Sequence, residues 1–294
     1  MKKVIVRIKG GLGNQLFCYA AARRLALIND AELVIDDVTG FMRDNLYKRF
    51  YQLDCFKIPC RKATALERLE PLERYRRGII KLLSRIRPFE KRRYLEQEIT
   101  EFDERLLGVQ IRKNMYIDGL WQSEGYFKDI ETVIRKDLEI IPPADAVNQS
   151  MADQIDHVES VALHVRWFDT TAEDNGHNVS NDYYQRTIDY MDEKLNLPHY
   201  FLFSDDPAAA CEKLSLPEGR VTAFTHNQGD ENAYADLWLM TQCKHFIVAN
   251  STFSWWGAWL GESEDGLVVC PGSQISGITC WGFPGLIPDR WRQL

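Results

Sequence analysis

The pentapeptide Gly10-Gly11-Leu12-Gly13-Asn14 is the tightest constraint in this chain. It follows a β-rich run at residues 4–8 and precedes Leu16, Phe17, Ala20, Arg23 and Leu27 at helical spacing. A strand that passes through three glycines straight into a helix must turn sharply, and glycine permits the positive φ that such a turn takes. Residues 32–35 add a second short strand that ends at Asp36 and Asp37. The opening therefore reads as a βαβ unit, the element of a parallel sheet with helices on its faces. Ligands of such sheets sit beyond the carboxyl ends of the strands. The glycines let a ligand approach the backbone at a helix N-terminus, where the dipole favours an anion. Gly11, Gly13 and Asn14 are thus candidate contacts, with Gln15 adding a second amide. The spacing is neither G-x-G-x-x-G nor a P-loop, so a plain strand-to-helix turn stands as the competing reading.

At 294 residues the chain has room for about two domains. Residues 66–104 carry charged helical sequence, residues 115–119 a strand, and residues 122–138 helical spacing again. Pro142-Pro143 is the strongest break, and a linker there divides an N-terminal domain, 1–143, from a C-terminal domain, 144–294. Beyond it, strands at 161–166, 200–204, 221–224, 246–249 and 267–270 alternate with helices at 182–195, 208–214, 232–242 and 254–260. That alternation predicts a second doubly wound α/β domain. For the tail after about residue 271, with Trp281 and Trp291, a return onto the first domain stays open.

Hydrophobic residues at 45% and charged residues at 27% exclude a disordered chain. Lys plus Arg number 36 against 43 Asp plus Glu, and the net charge of -7 opposes sequence-independent attraction to nucleic acid. The seven cysteines are odd in number, scattered and without a C-x-x-C pair, which fits reduced thiols in a cytosolic compartment. The start lacks a signal-peptide pattern. The uncharged stretch 266–288 is broken by five Gly and three Pro and does not read as a membrane span. The expected location is cytoplasmic. Between Arg74 and Arg93, nine Lys and Arg interleave with Ile79, Ile80, Leu82, Leu83 and Ile86. A basic amphipathic helix of this kind can lie on the anionic inner face of a membrane. The competing reading packs its apolar stripe against its own domain.

Three further motifs carry chemistry. In His164-Val165-Arg166, at a strand end, alternation sends His164 and Arg166 to one face, two potential cations at the edge where ligands bind. Arg offers a planar fork to the oxygens of a diphosphate. A salt bridge from Arg166 to Asp169, merely anchoring the loop, is the competing reading. Ser204-Asp205-Asp206-Pro207, again at a strand end, suits Mg²⁺, a helix cap, or acceptors for a base or ribose. The chain has no D-x-D triplet, which disfavours a metal. In the stretch from Asn250 to Gly257, the hydroxyls of Ser251, Thr252 and Ser254 and the N–H groups of a helix start make an anion cradle. Trp255, Trp256 and Trp259 read as core. The isolated histidines and the Cys243/His245 pair lack metal-ligand spacing, and no G-x-S-x-G elbow is present.

Read together, G-G-L-G-N-Q-L-F at residues 10–17, H-V-R at 164–166, F-S-D-D at 203–206 and N-S-T-F-S-W-W-G-A at 250–258 resemble the α-1,2-fucosyltransferases of glycosyltransferase family 11. The likeness runs on to I-P-D-R-W at 287–291. It implies a GT-B type α/β fold, two Rossmann-like doubly wound domains facing a cleft. It also implies transfer of L-fucose from GDP-fucose, with inversion, to a hydroxyl of a terminal galactoside, O2 being expected. The acceptor would be a galactose-terminated oligosaccharide or a lipid-linked glycan, and no cofactor or metal would be needed. By the same resemblance His164 and Arg166 contact the donor diphosphate, and Asp205 or Asp206, next to Ser204, holds the guanine. Ser251, Thr252, Phe253 and Ser254 line the nucleotide pocket, and Gly11, Gly13 and Asn14 face them from the first, acceptor-side domain. Arg166, Asn14 and Asp169 are the catalytic candidates, with Asp36 a weaker candidate base. The sequence departs from the family's usual H-x-R-R-x-D, because Trp167 replaces the second Arg and Phe168 a usual Gly. Arg166 is left to supply most of the positive charge. A transferase for another nucleotide sugar, and a non-catalytic glycan- or nucleotide-binding protein, are the alternatives.

Overall fold

Runs of Val, Ile and Leu form the centre of each sheet, because strands covered on both faces need apolar side chains at every position. The computed structural model describes residues 2–167, 178–272 and 281–294. It divides into two compact units, Met1–Ile141 with Pro284–Leu286, and Pro142–Phe283 with Ile287–Leu294.

In the first unit β1 (Lys3–Arg7) pairs in parallel with β2 (Glu32–Asp36) and, on its other side, with β5 (Met115–Asp118). Two short strands, β3 (Arg61–Lys62) and β4 (Tyr94–Glu96), complete the order β3-β2-β1-β5-β4. Helix α1 (Leu12–Ile28) is apolar around most of its circumference, so it is buried on most sides, with Leu16, Phe17 and Ala20 fully inside. The charged stretch 66–104 yields one α-helix, α2 (Glu73–Arg85), and β4 rather than continuous helix. In residues 122–138, two 3-10 turns precede the short α3 (Glu131–Asp137).

The second unit opens with α4 (Ala146–Asp156), which the sequence did not signal, and then β6 (Ser160–Val165), buried at all six positions. The strands β7 (His199–Ser204), β8 (Val221–Ala223), β9 (His245–Ile247), β10 (Val268–Cys270) and β11 (Arg292–Gln293) follow, all parallel. Between them run α5 (Asn181–Lys194), α6 (Pro207–Lys213), α7 (Ala233–Thr241) and α8 (Thr252–Gly261). The order β11-β10-β9-β6-β7-β8 is the Rossmann order, and it reverses direction at β6. In sheets of this order ligands sit at the carboxyl ends of the strands where the order reverses. Trp255, Trp256 and Trp259 are fully buried; Trp255 stacks on Trp259, meets Trp256 edge-on and lies tilted against Trp291, the core role their spacing predicts. The six described cysteines are free thiols, and no helix among the described residues is long and apolar enough to cross a membrane.

Candidate active site

The reversal point of the second sheet gathers most of the sequence candidates. Arg166 leaves the end of β6 and sets Nη1 3.4 Å from Oδ2 of Asp205, the residue after β7. The Trp167 N–H donates to Oδ1 of the same carboxylate at 3.1 Å. Parallel pairing of Val165 with Ser204 makes this possible, since it brings the two strand exits side by side. Asp205 thereby holds both Arg166 and Trp167 at the end of β6, with Arg166 about one-third exposed. The ion-pair partner seen for Arg166 is thus Asp205. Asp169, the partner the sequence suggested and a candidate catalytic residue, lies outside the described residues, as does Phe168.

His164 corrects an expectation. Its imidazole is buried, 5.6 Å from the Phe253 ring, and its Nδ1 has no hydrogen-bond partner among the described residues. Burial, with Arg166 adding to it, pushes its pKa down to about 3. A charged imidazolium at that position would lack both water and a counter-ion, so the ring is neutral and is not a second cation beside Arg166. The alternation argument gave the direction of the side chain but not its depth.

The other candidates of this unit divide by what they already do. Asp206 caps α6, accepting the Ala209 N–H at 3.0 Å, and its own N–H donates to Ser204 Oγ at 3.1 Å. Ser251 caps α8 by accepting the Phe253 N–H at 3.3 Å. Ser254 is buried inside the same turn, its hydroxyl accepting from the Ala249 N–H and donating to the Ser251 carbonyl. Thr252 and Phe253 open the helix and remain half-buried. Tyr184 on α5 was not foreseen. Its hydroxyl is fully buried with no well-formed hydrogen bond among the described residues, and burial, partly offset by the nearby Arg166 backbone and reinforced by Asp205, holds the phenol protonated. A tyrosine in a helical run carries no sequence mark of such a place.

Gly11, Gly13 and Asn14 belong to the first unit. Gly10 takes φ +78°, and a Cβ there would stand 2.9 Å from Asn14 Nδ2, so the turn needs glycine on both counts. Asn14 accepts from Gln122 Nε2 at 2.8 Å. Gln15 is buried and bonds the Gly10 and Phe50 carbonyls, tying a second loop to the glycine turn. Beside it the last residues of four adjacent strands, Arg7, Asp36, Asp118 and Glu96, form a charged rim with α2. Asp118 meets Lys9 at 2.9 Å, Arg7 at 3.3 Å and Lys81 at 3.5 Å, and accepts the Tyr94 hydroxyl at 2.7 Å. Burial would raise its pKa, but these cations outweigh it and hold the carboxyl well below the usual range. Asp36, the weaker candidate base, is likewise committed: it accepts from the Thr39 N–H and hydroxyl and lies 3.5 Å from Arg77. In these bonds it fixes its own loop.

Two doubly wound parallel-sheet units, the second in Rossmann order, make the fold GT-B in type. The sequence model described as Glycosyl transferase family 11 matches residues 3–274, and the chain belongs to that family. It is 30% identical over 298 residues to the O-antigen biosynthesis glycosyltransferase WbnK of Escherichia coli, covering 92% of this chain and 94% of that protein. It is 28% identical over 281 residues to an alpha-1,2-colitosyltransferase of Escherichia coli, covering 92% of each. Among solved structures it is similar to an Arabidopsis thaliana FUT1 variant in complex with GDP, with a TM-score of 0.53 at 16% identity over 95% of this chain and 71% of that one. It is also similar to the fucosyltransferase NodZ from Bradyrhizobium, with a TM-score of 0.51 at 17% identity over 87% and 92%. At these identities the two structures speak for the fold alone.

Proposed function

We propose that the chain transfers L-fucose from GDP-fucose to a hydroxyl of a terminal galactoside, with inversion and without a metal. The observation that carries this reading is Arg166, a partly exposed guanidinium at the end of β6, the strand whose His164 lies against Phe253 in the first turn of α8, in a chain of family 11. Solved NodZ has been soaked with GDP-fucose, which makes that donor the first to try. As the sugar becomes oxocarbenium-like, the departing diphosphate gathers negative charge. A preorganised guanidinium and the N–H groups of a helix start stabilise that charge more in the transition state than in the ground state. His164, neutral, serves as a wall and a hydrogen-bonding group there and supplies no charge. In this reading Asp205 orients Arg166, and Asp205 or Asp206 holds the guanine. Gly11, Gly13 and Asn14 serve the acceptor side, and Asp169 is the candidate base. A second reading, transfer of a different sugar, is favoured by Trp167 in the place of the family's second Arg and by the relative named as a colitosyltransferase.

Arg166→Ala should lower turnover by about 10² to 10³, the effect of removing one preorganised charge donor, while circular dichroism shows the fold intact. Wild-type rates in that variant would remove Arg166 from the chemistry. A panel of GDP- and UDP-linked sugars, run with and without EDTA, separates the two donors and checks the metal, since full loss with EDTA contradicts the proposal.

A further inference from the structure

Helix α2 sits on the first unit the wrong way round for a soluble protein. Arg77 and Lys81 face inward to Asp36, Glu96 and Asp118, and Ser84 is the one buried side chain on the helix. The apolar stripe is left outside. Tyr75, Ile79, Leu82, Leu83 and Ile86, spaced three and four apart, share the opposite face, and Tyr75, Leu82 and Ile86 are 70%, 68% and 79% exposed. The competing reading, in which this stripe packs against its own domain, is therefore overturned. The reason lies in the rim: three carboxylates at adjacent strand ends demand cations, and helical geometry then turns the leucines to the outside.

What covers such a face is decided by the charges around it. Helical spacing puts Arg76 along one border of the stripe and Arg74 and Arg85 along the other, Arg85 being exposed but also paired with Glu96 at 3.0 Å. Arg87, Lys91 and Arg93 continue the positive charge past the end of the helix, all exposed. Arg74, Arg87, Lys91 and Arg93 have no ion-pair partner among the described residues. A second copy of the chain meeting this face across a two-fold axis would bring the same arginines together, which like-charge repulsion opposes. An apolar strip edged by cations, on a molecule whose net charge is -7, matches a surface that is anionic at the top and hydrocarbon beneath. We propose that α2 is a membrane-surface anchor. It lies parallel to an anionic lipid leaflet with Tyr75, Ile79, Leu82, Leu83 and Ile86 among the acyl chains and Arg74, Arg76 and Arg85 at the headgroups. The first unit, and with it the glycine turn, is thereby held at the lipid surface. This inference is independent of which sugar the enzyme transfers.

The test is co-sedimentation of the full chain with vesicles of phosphatidylcholine alone or mixed with phosphatidylglycerol, at low and high salt. The protein should bind the mixed vesicles, release as salt rises, and bind neutral vesicles weakly. Leu82→Asp with Ile86→Asp, both at exposed positions, should lower the bound fraction ~10-fold or more and leave the thermal midpoint and turnover on a soluble acceptor unchanged. Arg74→Glu with Arg76→Glu should abolish the preference for phosphatidylglycerol. No binding at low salt, equal binding to neutral vesicles, or undiminished binding by the aspartate pair would overturn the proposal. So would sedimentation velocity showing a dimer that the aspartate pair splits into monomers, since the face then serves a second copy.

Discussion

Placed at the end of β6 with its ring against Phe253, His164 shows how burial overrides residue type. Its folded pKa of about 3 lies below the ordinary value, so it binds no proton in the folded state over a range in which the unfolded chain does. Stability must fall as the pH drops from about 6.5 toward 3, because the unfolded state takes up the proton first. Between pH 6.5 and 5 this one ring should remove about 2 kcal/mol. Denaturant titrations at both values should show that loss in the wild type and a clearly smaller one in His164→Gln. Equal losses in the two proteins would mean the ring is not the acid-sensitive group. The pH–rate profile of the enzyme, by the same reasoning, should carry no limb from His164.

At the level of elements, the rim of the first sheet ties four strand ends to one helix. Asp118 is buried and meets three cations, so the pair energies there are weakly screened. Asp118→Asn leaves Arg7, Lys9 and Lys81 without that carboxylate, and we expect a loss of about 3 kcal/mol in urea unfolding, lowered from the fully buried case by the partial exposure of the cations. The sign with pH is opposite in origin to a base but similar in outcome. Asp118 has a depressed folded pKa, so its contribution is present above the unfolded carboxylate value and disappears as pH falls through the folded one. A variant as stable as the wild type at pH 7 would show that the rim contributes no net stability. The same rim decides which face of α2 meets water, so strand-end charges and the proposed lipid contact are one structural fact.

For the whole molecule, a ligand that binds only the folded chain stabilises it by mass action. GDP at about 100 times its dissociation constant should add about 2.7 kcal/mol, seen as a rise in thermal midpoint that Arg166→Ala largely removes. No shift at millimolar GDP would count against a guanine nucleotide donor and leave the other sugar nucleotides to be tried. Much of this was legible beforehand. Gly10 to Asn14 announced the first crossover, the alternating runs from residue 161 onward announced the Rossmann half, and the four motifs together pointed to family 11. What was not legible had physical reasons. β3 and β11 are two residues long and too short for any period to register, and residues 122–138 have helical spacing but form an α-helix only over Glu131–Asp137, after two tight turns. The sequence alone settled the glycine turn, the alternating strands and helices beyond residue 160 and which residue types stand at the strand ends, because glycine conformations and apolar periods act over a few neighbours. Only the tertiary structure decided that His164 is neutral, that Arg166 pairs with Asp205, that Asp36 is committed to its own loop and that the leucines of α2 face outward. Depth, ion partners and helix orientation depend on which distant residues share a sheet edge, and that is fixed by strand order and not by adjacency along the chain.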